Sequence, residues 1–346
     1  MAPDSVVVYA SDHPAAAEFD AAQPFPVVRH PTRTLLPTLP ARRRVARVLR
    51  AHECESVWFG AAAPLGLMAA SLRAAGARRL VATTHGHEVG WAALPGARAA
   101  LRRIADGCDV ITYLGEYTRS RLSPLVAGRA ELARLTPGVD VAVFDPDIDS
   151  GPVRDRYGLG RRPCVVCVSR LVPRKGQDVL IDALARVRRS IPDVTLLIVG
   201  SGPYRERLER RAERRGVRGH VIFTGAVPNS QLPEHFAAGD VFAMPCRTRR
   251  RGLDVEGLGI VYLEASAVGL PVIAGNSGGA PDAVREGETG YVVDGRDAVE
   301  VADRLIELLA DRAARDRLGL AGRAWVERDW TWERTTASLT DLLRGA

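Results

Sequence analysis

Lysine is almost absent from this chain. Among 48 basic side chains it occurs once, as Lys175, and the other 47 are arginine. A guanidinium is a planar fork, whereas an ammonium is a compact point charge whose three donors suit a phosphate oxygen in a tight site. A composition that writes arginine nearly everywhere else marks Lys175 as a candidate phosphate ligand; the plain alternative is one codon surviving an arginine bias. Aromatic residues are also few, at 5%. With no Lys/Arg tail and no recognition-motif spacing, this disfavours nucleic acid as a partner. The five cysteines, Cys54, Cys108, Cys164, Cys167 and Cys246, are odd in number and scattered, which reads as reduced thiols and excludes a disulfide framework. Cys164-x-x-Cys167 lies inside the apolar run Pro163–Val168 with no second CxxC or His pair, so a core strand is expected there and not a zinc or redox site. No window approaches the roughly 20 apolar residues that a membrane-spanning helix needs. Met1 to Ala10 carries no cationic region ahead of its short apolar stretch, so no signal peptide is expected. The expected location is the cytoplasm, at most peripheral to a membrane.

What is present points to a two-domain α/β protein. At 346 residues the chain exceeds one comfortable core, and 46% apolar content supports globular folding. A net charge of +7 and a pI near 9.5 suggest anionic partners such as nucleotide phosphates or an acidic membrane surface. Short β-branched runs alternate with longer Ala/Arg/Leu segments, the pattern of βαβ units and parallel sheets. Strands are expected at 5–10, 56–59, 80–84, 110–113, 164–169, 195–200, 221–225, 241–245, 271–275 and 290–293, with helices such as 178–190 and 204–216 between them. The Pro-, Gly- and Asp-rich stretch from Thr136 to Asp147 separates the two series, giving domains at 1–146 and 147–323 and a helical tail at 324–346. Its Asp145-Pro146-Asp147-Ile148-Asp149 run is read as a solvated turn in preference to a metal-binding DxD. Trp325, Trp330 and Trp332 suggest that the tail docks on another surface.

Two motifs carry candidate chemistry. Arg170 and Lys175 follow the strand that ends at Ser169, and Glu256 and Glu264 flank a Gly-rich loop, Gly257-Leu258-Gly259-Ile260, that opens a helix. Eight helical residues climb about 12 Å, comparable with the reach across a sugar diphosphate. Glu256 could then accept hydrogen bonds from a sugar and Glu264 from a ribose, with the loop amides and the two cations on the diphosphate. Exposed helix charges and turn glycines are the alternative. Both motifs are expected at the carboxyl ends of strands in one sheet, which favours a site.

Ser169-Arg170-x4-Lys175-Gly176, Gly200-Ser201-Gly202-Pro203, Phe223-Thr224-Gly225-x-Val227, Glu256-x7-Glu264-Ala265, Gly269-x-Pro271-Val272-Ile273-Ala274 and Gly278-Gly279-Ala280-Pro281-Asp282 together resemble the retaining glycosyltransferases of family 4, which have the GT-B fold. The resemblance implies two Rossmann-like, doubly wound parallel-sheet domains with an interdomain cleft, the nucleotide-sugar donor held by the C-terminal domain and the acceptor by the N-terminal one. It assigns Arg170 and Lys175 to the diphosphate, Glu256 to the donor hexose, Glu264 to the ribose, and the region Gly225–Leu232, with Gly225 and Val227, to the base. No cofactor and no obligatory metal are implied. Thr84-His85-Gly86-His87-Glu88-Val89-Gly90-Trp91, Leu171–Asp178 and Arg251–Gly259 look like the actinobacterial GDP-mannose-dependent phosphatidylinositol monomannoside α-1,6-mannosyltransferases. That branch makes His85 a catalytic residue beside the sugar and β-phosphate, with His87 the weaker candidate, and makes a lipid acceptor at the inner membrane leaflet the partner. Arg42-Arg43-Arg44-Val45-Ala46-Arg47-Val48-Leu49-Arg50 could lie on an anionic leaflet, or be a solvated helix.

The family's first domain normally opens with a strand and a Gly-Gly loop. Here Val6-Val7-Val8-Tyr9 looks like the second strand, about 30 to 40 residues fewer than a complete doubly wound domain. An incomplete N-terminal sheet with a gap or a new edge is therefore expected, and with it reduced or absent activity. The readings that follow are an active mannosyltransferase, a family 4 enzyme with another donor or acceptor, a non-catalytic nucleotide-sugar-binding relic and, less favoured, a sugar-nucleotide epimerase of the same fold.

Overall fold

A computed structural model describes residues 2–345. Contacts divide the chain into two compact units. The first holds residues up to Leu114, Thr118–Leu135 and those from Thr336 onward; the second holds Gly115–Tyr117 and Thr136–Thr335.

The strands of the first unit form two separate parallel sheets. β1 (Val8–Ser11) pairs only with β2 (Val27–His30), and β3 (Ser56–Phe59), β4 (Arg79–Thr83), β5 (Val110–Tyr113) and β6 (Glu131–Arg134) run in chain order in the other. Among the described residues one edge of β1 and one edge of β3 are therefore unpaired. Side chains alternate across a strand, so one β4 serves two cores: Leu80 and Ala82 join Leu72, Ile104, Ile111 and Leu122, whereas Val81 joins Val110, Leu135, Leu339 and Leu343 on the other face. Leu339 and Leu343 belong to the last helix, Trp332–Arg344. Its end is fastened by Arg79 Nε donating to the Leu342 carbonyl at 2.9 Å and Ser56 Oγ to that of Leu343 at 2.9 Å.

The second unit contains one six-stranded parallel sheet. β7 (Cys164–Val168), β8 (Thr195–Val199), β9 (Val221–Gly225), β10 (Val241–Met244), β11 (Val272–Gly275) and β12 (Gly290–Val293) are arranged β12-β11-β10-β7-β8-β9. The chain starts at β7 in the middle, runs outward to β9, and returns to the other side of β7 with β10. That reversal puts the loops after β7 and β10 side by side at the carboxyl ends of adjacent strands. β7 and β8 are buried at every residue, which their continuous apolar sequences require.

Several expectations need correction. β2 and β6 were not foreseen, and the helices expected at 178–190 and 204–216 run Gln177–Val187 and Arg205–Arg214. The tail is not one helix: Arg312–Asp329 ends at Trp330, and a new helix begins at Trp332. Trp330 is buried, Trp325 meets it edge-on at 5.4 Å, and the Arg285 guanidinium lies 5.1 Å over Trp325, but Trp332 is half exposed. Cys164 and Cys167 are core residues of β7, and burial pushes both thiols up to about 12. The Asp-rich segment is a series of turns in which Asp140, Asp145 and Asp149 each accept from the backbone N–H two residues ahead. Among the described residues no cluster of His, Cys, Asp and Glu could hold a metal ion, and no helix is long and apolar enough to cross a membrane.

Candidate active site

In the second unit the switch point brings together Lys175 and Glu256, 81 residues apart in sequence. After β7 the chain reaches a short 3-10 turn, Pro173–Lys175, and then Gly176 in the left-handed region at φ +80. A Cβ on Gly176 would stand 2.0 Å from the Pro245 carbonyl oxygen, so only glycine lets this turn approach the loop after β10. The Arg247 N–H donates to the Arg174 carbonyl at 2.8 Å and the Arg247 guanidinium to Asp178 at 2.7 Å, tying the two loops together.

Both Lys175 and Glu256 are buried, at 8% and 6% exposure. The ammonium donates to Glu256 Oε2 at 2.7 Å, and Arg174 Nη1 donates to the same oxygen while its Nε faces Asp254 at 3.3 Å. Two cations thus compensate two carboxylates, which makes the burial of these charges tolerable. Glu256 Oε1 accepts no hydrogen bond among the described residues, and the ammonium spends one of three donors on Glu256. Lys175 is therefore a partner of Glu256 as well as a candidate phosphate ligand. Arg170 is exposed; its backbone carbonyl accepts from Gln177 Nε2 at 2.9 Å and from the Val172 N–H at 3.0 Å, and its guanidinium forms no ion pair among the described residues.

The Gly-rich loop and its helix differ from the sequence expectation in one respect. The helix runs Ile260–Ala267 with Gly259 at its cap, φ +83, so Glu256 precedes it and the eight-residue spacing to Glu264 does not climb a single helix. No side chain caps the first turn, which leaves the Gly259–Ile260 end open to an anion. Below it the buried Tyr262 hydroxyl donates to the Met244 carbonyl at 2.8 Å and anchors the helix to β10. The Glu264 carboxyl, on that helix, has no hydrogen bond or ion pair among the described residues, and burial pushes it up to about 7. Behind the loop, Gly278 at φ +57 would place a Cβ 2.0 Å from the Glu256 carbonyl oxygen, and Gly279 N–H donates to that oxygen at 3.0 Å. Gly225 closes β9 at φ +80 with its carbonyl on Gly200 N–H at 2.8 Å, and Val227 lies half-buried in the loop beyond.

His85 lies in the first unit, in the loop after β4. Its ring is exposed and Nε2 sits 2.5 Å from the Gly60 carbonyl oxygen, while His87 stacks on it with centroids 6.5 Å apart. Sequence reasoning gave no role to Arg174, Asp254 or Glu88. Arg174 was visible only as the neighbour of Lys175, because spacing does not reveal that a 3-10 turn sends both side chains to one carboxylate.

Comparisons with known proteins identify the family and the fold. Residues 153–325 match the model of "Glycosyl transferases group 1" and residues 3–143 that of "Glycosyltransferase Family 4". The chain is 54% identical over 344 residues, 98% of its length and 90% of the relative's, to the GDP-mannose-dependent alpha-(1-6)-phosphatidylinositol monomannoside mannosyltransferase of Mycolicibacterium smegmatis. It is 47% identical, over 99% of its length and 90% of the relative's, to the GDP-mannose-dependent monoacylated alpha-(1-6)-phosphatidylinositol monomannoside mannosyltransferase of Corynebacterium glutamicum. Among solved structures, Anabaena HepE in complex with UDP superposes with a TM-score of 0.84 at 22% identity, covering 99% of this chain and 93% of that one. The chain belongs to glycosyltransferase family 4, and its two Rossmann-like α/β units are those of the GT-B fold.

Proposed function

We propose that this protein transfers mannose from GDP-mannose to a phosphatidylinositol mannoside, forming an α-1,6 linkage with retention at the sugar. The near full-length likeness to the two mannosyltransferases supports the choice of donor and acceptor. The observation that carries the chemistry is the buried Lys175–Glu256 contact of 2.7 Å, which leaves Glu256 Oε1 and two ammonium donors uncommitted among the described residues.

Arg170 and the two remaining Lys175 donors take the diphosphate, together with amides of the Gly257–Ile260 segment. Glu256 Oε1 accepts from the hexose hydroxyls, Glu264 from the ribose, and the backbone around Gly225 and Val227 receives the base. Charge builds on the leaving diphosphate as the glycosidic bond breaks, and fixed cations stabilise that charge more than the ground state. With these cations in place the reaction uses no obligatory metal. The acceptor hydroxyl attacks from the face that GDP leaves, and the departing phosphate takes its proton; no carboxylate nucleophile is needed, unlike retaining glycoside hydrolases. His85 contacts the transferred sugar. A lipid acceptor places the working enzyme on the cytoplasmic face of a membrane, which the arginine-rich helix Leu39–Ala51 suits.

The test is a screen of labelled sugar nucleotides with membrane lipid extract, comparing wild type with Lys175→Ala and Glu256→Ala. Mannose should move from GDP-mannose, and each variant should lose roughly 100-fold or more in kcat, the scale of one preorganised charge contact. Undiminished transfer by both variants, or no transfer from GDP-mannose, overturns the reading.

A further inference from the structure

The first unit contains a buried acid that the proposed chemistry does not use. Glu88, in the first turn of helix Glu88–Ala93, has 0% exposure. Its Oε2 accepts the His85 N–H at 3.0 Å, but Oε1 has no hydrogen bond among the described residues. His87 Nε2 lies 3.3 Å from Oε1 and 3.3 Å from the Ala63 carbonyl oxygen. A carboxylate held in the interior with half its capacity unused is costly, and a helix cap alone does not require the charge.

Its surroundings show what it holds. The loop after β3, Gly60 to Ala63, and the loop after β4, Thr84 to His87, meet at the carboxyl ends of two adjacent parallel strands. His85 Nε2 lies 2.5 Å from the Gly60 carbonyl. A carbonyl can only accept, so that nitrogen carries a proton and, in the neutral ring, Nδ1 is the bare acceptor. Backbone and ring of His85 are thus fixed from two sides: Glu88 grips its N–H, and Gly60 its imidazole. His87 stacks on the ring at an interplanar angle of 11° and faces Glu88 Oε1.

We infer that Glu88 is a positioning residue: by holding the His85 N–H it keeps the imidazole on the Gly60 carbonyl, and through that contact it fixes the orientation and tautomer of His85. The inference rests on the reading of His85 as a residue that touches the sugar donor. The informative substitution is Glu88→Met, which fills the same buried space without an acceptor and keeps the core packed. Glu88→Gln, whose amide oxygen still accepts the His85 N–H, is the conservative partner. We expect Glu88→Met to lower kcat by roughly 10- to 100-fold with KM for GDP-mannose changed less than about threefold, as a misplacement of about 1 Å does. Glu88→Gln should stay within about threefold of wild type, and adding Glu88→Met to His85→Ala should cost less than about a further twofold, because the two act through one group. In 15N-imidazole NMR spectra of the full chain, wild type and Glu88→Gln should show the Nε2–H tautomer of His85, and Glu88→Met a mixture. Full activity of Glu88→Met, an equal loss in the His85→Ala background, or an unchanged tautomer signal overturns the inference. Full activity of His85→Ala refutes the role of His85 instead, and the tautomer measurement still decides whether Glu88 positions it.

Discussion

The scarce lysine acquires a physical reason at its own position. The ammonium sits in a buried spot against a carboxylate that an arginine also holds, where a second planar fork would not fit as compactly. Glu256 is consequently locked through one oxygen, with the other left without a partner among the described residues. Glu264 is the opposite case, a carboxyl with no partner whose burial raises it from an ordinary 4.5 to about 7. The sign follows directly: below pH 4.5 both folded and unfolded forms hold the proton, and between pH 4.5 and 7 only the unfolded chain releases it, so the folded state loses stability as the pH rises. Glu264→Gln should therefore be more stable than wild type at pH 8, by up to about 3 kcal/mol, and equal to it near pH 4. Urea denaturation at the two pH values measures this. The same variant should bind GDP more weakly if the carboxyl accepts from a ribose.

At the scale of elements, the site is made by turns that tolerate no side chain. Gly278→Ala puts a methyl 2.0 Å from the Glu256 carbonyl at a positive φ, so the loop must move or the residue must leave that conformation. A cost of about 1–3 kcal/mol is expected from the backbone alone. GDP binding by calorimetry should weaken together with the denaturation midpoint, because the carbonyl that shifts belongs to Glu256. Much of this architecture is legible in the sequence. β7 announces itself by the unbroken run Cys164–Val168, and the basic and carboxylate motifs lie after β7 and β10, at carboxyl ends of one sheet as expected. β6 was hidden because Glu131-Leu-Ala-Arg134 has no β-branched residue, and β2 because Val27 follows two prolines in Pro24-Phe25-Pro26. The Glu256 to Glu264 spacing misled because a left-handed glycine interrupts it, and a pattern of charges carries no record of φ.

For the whole molecule, charge is unevenly used. Many arginines are paired, but Arg43, Arg44, Arg47 and Arg50 of helix Leu39–Ala51 form no ion pair among the described residues, and the helix has no acidic residue in its first turn. Exposed Leu36 and Leu39 stand at its start. Cationic and apolar side chains on one surface helix are suited to an anionic leaflet, each charge adding about 1 kcal/mol near such a surface. Replacing Arg43, Arg44 and Arg47 by Glu should abolish sedimentation with phosphatidylinositol-containing vesicles at low salt, yet leave GDP binding unchanged. Equal sedimentation of both proteins would remove this helix from the membrane contact.

The single ammonium has one more use. A protease that cuts only after lysine has one internal target in this chain, the Lys175–Gly176 bond, and in the native state that bond is buried under the carbonyl of Pro245. Cleavage into two fragments of nearly equal length then clocks the opening of the Lys175–Glu256 site, with no label attached, and any ligand that seals that site should slow it.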